Sequence, residues 1–220
     1  GLTSGFTISV AQAYGARKFD KMNKYAGNSI TLAFVIGMVI MIVAHFLSRP
    51  LLKAIDTPDD IIDMSAQYID VLYYAVPIQM SLNNFNALSR AVGDSKRPLY
   101  FLIVSVIVNL LLDILFVGAF KWGVIGAAWA TAISELVAAV LSAISVLKYT
   151  EEYNIDKTAL KIDGKVSWAQ IKIGIPISLQ FSITSIGSMV LQTAVNGFGS
   201  SVIAGFTAAG RVEQLTNIPM

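Results

Sequence analysis

The stretch YFLIVSVIVNLLLDILFVGAFKWGVIGAAWATAISELVAAVLSAISVL, residues 100–147, decides the fold. Its two parts, 100–120 and 124–147, are apolar runs long enough to cross a bilayer. A spanning helix needs about 20 residues, because each adds about 1.5 Å against a hydrocarbon layer about 30 Å thick. Only Lys121, Trp122 and Gly123 separate the runs, and so tight a corner can join nothing but adjacent antiparallel helices. In lipid a helix meets its own backbone hydrogen bonds, so the pair reads as a transmembrane hairpin and the chain as an all-α, polytopic bundle.

Toward the N-terminus, a third apolar segment covers 64–91 and carries Pro77, whose missing N–H and ring clash should bend it mid-membrane. Before it, SRPLLKAIDTPDDIID holds Pro50, Pro58 and four aspartates, a polar connection with room for one short interfacial helix. Another span is expected over 25–47, and a first segment ends near Ala16. Toward the C-terminus the composition turns polar over 148–168, with alternating charge in TEEYNIDKTALKIDGK, and a linker is expected there. Gly174-Ile175-Pro176 then opens a sixth span reaching about Phe198, and a seventh begins in SSVIAGFTAAGRVEQLTNIPM. Neither end carries a terminator or a signal-peptide pattern, and the chain is expected to be a piece of a longer one.

Composition agrees with this reading. Of 220 residues 55% are hydrophobic and 14% charged, against about 25% charged for soluble domains, and the mean hydropathy is +0.66. A formal charge of +2 is too small to indicate nucleic acid, and the absence of cysteine excludes disulfides, thiolate metal sites and cysteine nucleophiles. Basic residues alternate by loop. Arg17, Lys18, Lys21 and Lys24, then Arg90, Lys96 and Arg97, then Lys148, Lys157, Lys161, Lys165 and Lys172 fall on one side, against Arg49, Lys53 and Lys121 on the other. The richer side is expected to face the cytoplasm, in a multi-pass protein of the cell inner membrane.

Polar groups inside spans are costly, by about 2.5 to 3.5 kcal/mol for a charge on insertion scales, so each is a functional candidate. Asp113 lies seven residues before Phe120, about 10 Å below the outer surface. Asn109 precedes it by four positions on the same helix face. Thr131 lies eight residues into the returning helix, about 12 Å deep, and is expected level with Asp113. Such an oxygen-rich patch suits a hard cation such as sodium, with Asp113, Asn109 and Thr131 as ligands, and equally suits a proton; it could also be hydrogen-bonded packing between helices. Glu135, one turn beyond Thr131, either lines the same cavity or caps a polar helix contact. Of Asn83, Asn84 and Asn86, at least one should point inward. Asp70 reads as interfacial, and His45 as an ordinary exposed histidine. Arg211 and Glu213, two positions apart, point to different helix faces and line either a wet cavity or an interface. Small residues at spacing four, Gly123, Ala127 and Thr131, then Gly126, Ala130 and Ser134, permit close helix approach.

Four stretches carry a resemblance: VAQAYGARK at 10–18, NALSRAVGDSKRP at 86–98, WGVIGAAWATAIS at 122–134 and IGIPISLQ at 173–180. In this order they resemble the MATE family of multidrug and toxic compound extrusion proteins, over essentially the whole chain. The resemblance implies a two-lobe bundle, of which this chain would supply helices two to eight. Residues 1–147 would belong to the N-terminal lobe, 148–168 to the cytoplasmic linker and 169–220 to the start of the C-terminal lobe. Asn109 and Asp113 resemble the N-x-x-x-D of the fifth helix in the DinF-like branch, where these residues help form a cation site. Thr131 resembles a sixth-helix member of that site, and Asn83 and Asn86 fourth-helix members of the same network. A first-helix aspartate that completes the site in the family has no counterpart here. The helix-seven glutamate of the NorM-like branch is missing too, since 170–198 contains no acid.

The resemblance implies an antiporter, not an enzyme, that exchanges sodium or protons for amphipathic, often cationic, small molecules. Its expected partners are the bilayer and these substrates; no cofactor beyond the coupling ion is expected, and the expected state is a monomer. An alternative is a lipid-linked saccharide flippase of the same superfamily. A remote one is an intramembrane hydrolase using Asp113 and Glu135, without H-E-x-x-H or a serine–histidine pair.

Overall fold

A computed structural model describes residues 1–54, 59–150, 152–155 and 158–196, with Phe206 and Gly210 as single positions. Among the described residues six α-helices follow one another: α1 (Leu2–Gly15), α2 (Phe19–Ala54), α3 (Asp59–Ala91), α4 (Lys96–Asp113), α5 (Gly123–Ile144) and α6 (Gly164–Asn196). Wider, π-helical turns extend α4 over Ile114–Ala119 and α5 over Ser145–Tyr149. No strand occurs among the described residues. Phe206 and Gly210 are helical, and the rest of the expected seventh span, with Arg211 and Glu213, lies outside the described residues.

Among the described residues four segments are long and apolar enough to cross a membrane: Phe19–Pro50, Lys96–Ala119, Gly123–Tyr149 and Gly164–Val195. The apolar face of α4 shows why they need lipid. Pro98 alone of its residues is buried, and Leu102, Ile107, Leu110 and Leu111 each expose more than half their surface. Water would make that face an association site; hydrocarbon solvates it.

The helices outrun the apolar segments. α2 continues through Pro50 to Ala54 and α3 starts at Asp59, so the polar stretch expected to connect them is mostly helix. Local bonds hold this extension: Ser48 Oγ donates to the His45 carbonyl at 2.8 Å, and Arg49 meets Asp63 at 3.0 Å. α6 likewise begins at Gly164, ten residues before the expected opening of its span, because the Asp163 carboxylate caps it, accepting from Lys165 N at 2.9 Å and Val166 N at 3.2 Å. Asp94 caps α4 in the same way, accepting from the N–H groups of Lys96 and Arg97, both at 3.1 Å. At the hairpin corner Lys121 and Gly123 adopt positive φ of 57° and 60°, and glycine accommodates this without strain. Phe116 and Trp122 stack there with ring centroids 4.9 Å apart, and tryptophan is an amphipathic aromatic expected where lipid meets water.

The residues divide into two units, Leu2–Ile175, and Gly1 with Pro176–Met220. In the first, α2 packs on α1 and α3, and α5 on α3 and α4. Its core gathers at the end expected to face the cytoplasm, where Val10, Met22, Leu88 and Val146 are fully buried. The polar connection after α5 is stitched to this core. Tyr153 Oη donates to the Leu88 carbonyl at 3.0 Å, Thr31 Oγ1 to the Leu160 carbonyl at 2.7 Å, and Asn154 N to Asn23 Oδ1 at 3.0 Å. Burial, reinforced by the Glu152 charge, raises the Tyr153 phenol above its ordinary range. Gly27 lets Ala159 approach so closely that a Cβ would lie 2.5 Å from the Ala159 carbonyl oxygen. In the second unit most of the described part is α6 from Pro176, where the hydroxyls of Ser182, Thr184, Ser185, Ser188 and Thr193 bond back to their own helix, as Ser188 Oγ does to the Thr184 carbonyl at 3.0 Å.

Candidate functional site

Asp113 stands where α4 changes from α- to π-helical winding, a kind of interruption that often marks functional positions. The wider winding shows in the Phe120 N–H, which bonds to the Leu115 carbonyl at 2.9 Å, five residues back. Asp113 is half-buried, and its Oδ1 is buried with no hydrogen-bond partner among the described residues. Asn109, one turn earlier and also half-buried, makes no side-chain hydrogen bond among the described residues. A carboxylate oxygen sealed from solvent without a donor is unfavourable unless a proton or a cation occupies it.

The hairpin partner is α5, and Ser105 Oγ donates to the Ser134 carbonyl at 3.0 Å, which fixes the antiparallel register. Counting outward from that bond at helical rise, Thr131 falls within about 2 Å of the level of Asn109, while Asp113 lies about 7 Å farther toward the corner. Thr131 is thus nearer in depth to the amide than to the carboxylate. Its hydroxyl donates to the Ala127 carbonyl at 3.0 Å, which spends the proton and leaves the oxygen free to accept.

The asparagines of α3 separate. Asn83 is exposed. Asn84 is the one that points inward, fully buried, with Nδ2 donating to Ser29 Oγ at 3.3 Å and Oδ1 unpartnered among the described residues. Asn86 accepts from Ser142 Oγ at 3.1 Å. Seven residues earlier along the same two helices, Glu135 accepts from Gln79 Nε2 at 3.1 Å. Both bonds join positions 56 apart in sequence, so α3 and α5 run parallel and in register over two turns. This places α3 at membrane depth although it is too polar to qualify as a span by composition.

Two pairings have no counterpart in the sequence reading. His45 Nδ1 and Asp70 Oδ1 lie 3.1 Å apart between α2 and α3, near Tyr74. At the other end, Asn28 of α2, fully buried, donates to Ser167 Oγ at 3.1 Å and Gln170 Oε1 at 2.8 Å and accepts from Asp163 N at 2.9 Å. Gln170 in turn donates to the carbonyls of Phe6 at 3.2 Å and Tyr25 at 2.9 Å. A buried amide beside Asp, Ser or Gln cannot be matched to its partner without the register between helices. Among the described residues no group of three or more His, Cys, Asp or Glu side chains converges as a metal site would. An oxygen set of Asp113, Asn109 and Thr131 fits a monovalent hard cation or a proton by donor type alone.

Known proteins resemble this chain along its whole length. A probable multidrug resistance protein of Bacillus subtilis, YoeA, is 30% identical over 226 residues, covering 100% of this chain and 49% of the relative. The multidrug export protein MepA of Staphylococcus aureus strain NCTC 8325 is 23% identical, with 99% of this chain and 48% of the relative covered. The chain therefore spans about half the length of the curated relatives it matches. Among solved structures, a MATE protein in its bent conformation superposes with a TM-score of 0.85 at 25% identity, covering 100% of this chain and 49% of that one. An inward-facing multidrug resistance MATE family transporter of the MOP superfamily gives a TM-score of 0.80 at 25% identity, covering 100% of this chain and 50% of that one. The family model described as MatE matches residues 1–115, and the chain belongs to that family, whose members are membrane transporters and not enzymes.

Proposed function

We propose that this chain forms the N-terminal lobe (1–147), the linker (148–168) and the start of the second lobe (169–220) of an exporter of drugs and toxic amphipathic compounds, driven by entry of sodium or protons. The relatives' names support the export half of this reading. The coupling half rests on one observation, the buried Asp113 Oδ1 without a partner among the described residues. In this scheme a cation or proton binds at Asp113, with Asn109 supplying a further oxygen and Thr131 facing Asn109 from α5, one to two turns inward of the carboxylate. Neutralising the carboxylate removes the penalty of holding a charge inside the membrane, and this differential between loaded and empty states can bias one arrangement of the lobes over another. Asn86 holds α3 to α5 through Ser142 and acts as a support for that helix pair.

The test is ethidium efflux from cells that carry the whole transporter with Asp113→Asn, which keeps the side chain's size and removes its charge. Efflux should fall at least tenfold. Collapsing the sodium and proton gradients separately identifies the ion. Undiminished efflux by the variant would remove Asp113 from coupling.

A further inference from the structure

Glu135 sits 12 residues past the start of α5 at Gly123, about 18 Å into a layer about 30 Å thick. It is the sole charged residue of that helix. Its Oε1 accepts from Gln79 Nε2 at 3.1 Å, and no other hydrogen bond or ion pair reaches the carboxylate among the described residues. An amide orients a carboxylate and favours its ionised form, but it does not cancel the charge.

Among the described residues no cation lies at this depth on the helices packed against it. Along α3 the charges nearest Gln79 are Asp70, about 13 Å to one side, and Arg90, about 16 Å to the other. Along α4 the register set by Ser105 and Ser134 places Asp113 about 13 Å outward of Glu135 and Arg97 about 10 Å inward. Arg97 is already engaged, by Asp94 at 3.3 Å and by the Tyr149 carbonyl at 3.1 Å. Glu135 therefore has no counter-charge at this depth among the described residues.

Its surroundings favour one kind of partner. Asn83 follows Gln79 by one turn on α3, Thr131 precedes Glu135 by one turn on α5, and Gln79, Asn83 and Thr131 are all exposed. With its proton committed to Ala127, Thr131 offers an oxygen. Asn86 is taken by Ser142. A dehydrated metal ion needs several oxygens converging on one point, and here a single anionic oxygen pair stands on an open polar stripe. That suits a bulky organic cation with spread charge, which keeps the rest of its solvation and needs one counter-charge.

We propose that Glu135, held in place by Gln79, is the anionic anchor for the cationic head group of exported amphipathic compounds, at a place separate from Asp113. The proposal rests on the export reading above and assigns it a substrate-selecting residue. Gln79 is the positioning residue.

The experiment measures binding of tetraphenylphosphonium, a permanent delocalised cation, and of chloramphenicol, an uncharged compound, to the purified whole transporter. Glu135→Gln should raise the Kd for the cation at least tenfold and move that for the neutral compound less than twofold, with an unchanged melting temperature. Gln79→Ala should weaken the cation alone, by about threefold. Asp113→Asn should leave cation binding within threefold of wild type while ending gradient-driven efflux. Wild-type affinity for the cation in Glu135→Gln, equal weakening of both compounds, or failure of the wild type to bind the cation overturns the anchor. Retained efflux in Asp113→Asn with the Glu135 effect intact overturns the coupling reading and leaves the anchor standing.

Discussion

Replacing Gln170 by leucine isolates the buried network that ties the start of α6 to α1 and α2. The side chain is fully buried and takes part in three hydrogen bonds, one accepted from Asn28 at 2.8 Å and two donated to the carbonyls of Phe6 and Tyr25 at 3.2 and 2.9 Å. Leucine fills nearly the same volume, so no large cavity term arises. The groups left behind are not stranded. Asn28 keeps Ser167 at 3.1 Å, and the two carbonyls belong to helices whose own backbone bonds remain. The loss is then the net worth of three bonds without the penalty of orphaned groups. Interhelical bonds in membranes average about 0.6 kcal/mol, and intramolecular bonds in general about 1 kcal/mol, so the sum is about 2 to 3 kcal/mol. The assay is reversible unfolding of the whole transporter in mixed micelles, with Ser188→Ala as control, whose hydroxyl bonds to the Thr184 carbonyl of its own helix. In a double-mutant cycle with Asn28→Ala the coupling should be about 0.5 to 1 kcal/mol, the value of the one shared bond. A Gln170→Leu midpoint within the scatter of the Ser188→Ala control would refute the argument, because it would mean that the network contributes nothing to holding α6.

Gly27→Ala should destabilise by about 1 to 3 kcal/mol, the usual cost of overpacking, since the new methyl would meet the backbone of Ala159, whereas Gly15→Ala, with nothing within 4 Å, should be neutral or slightly stabilising in the same unfolding assay. Asp163 has its carboxyl held below the ordinary aspartate range by the Lys24 ammonium at 2.7 Å and by the N–H groups it caps. A lowered folded value means that its contribution is complete above the ordinary aspartate value of 3.8 and fades as the pH drops through the folded one. The stability difference between wild type and Asp163→Asn should therefore be flat from pH 8 to 5 and shrink below about pH 4; a difference that instead grows on acidification would reverse the assigned sign.

What could be read from residues in a row was the arrangement of spans, because a bilayer imposes a length and a composition on any helix that crosses it. The hairpin at 100–147 shows this best: two apolar runs and a three-residue corner leave no other solution, and α4 and α5 pack as antiparallel neighbours. The boundaries failed where the helix is longer than its apolar part. α2 has 36 residues, about 54 Å at helical rise, so nearly half of it extends past a layer about 30 Å thick, and nothing in hydropathy marks where it stops. Cap chemistry marks it better. Asp94 and Asp163 each precede a helix start and receive two of its free N–H groups, a signal present in the sequence and masked in the second case by the surrounding charged stretch.

The candidate site divides along the same physical line. Neighbours on one helix, such as Asn109 and Asp113, follow from the helical repeat alone. Pairs between helices do not, since sliding one helix by a single turn past its neighbour exchanges every contact and leaves the apolar pattern unchanged. The offset of 56 that joins Gln79 to Glu135 and Asn86 to Ser142 is a property of packing, and it is what turns a lone glutamate into an oriented one. It also explains the composition of α3. A helix that packs against α1, α2 and α5 is covered by protein along much of its length, so it carries four amides, Gln79, Asn83, Asn84 and Asn86, at membrane depth, whereas the more lipid-exposed α4 carries Asn109 and Asp113 there. Low hydropathy in a membrane helix is in this sense a positional signal: it marks the element covered by its neighbours, whose amides find partners on them, as Asn84 does in Ser29 and Asn86 in Ser142.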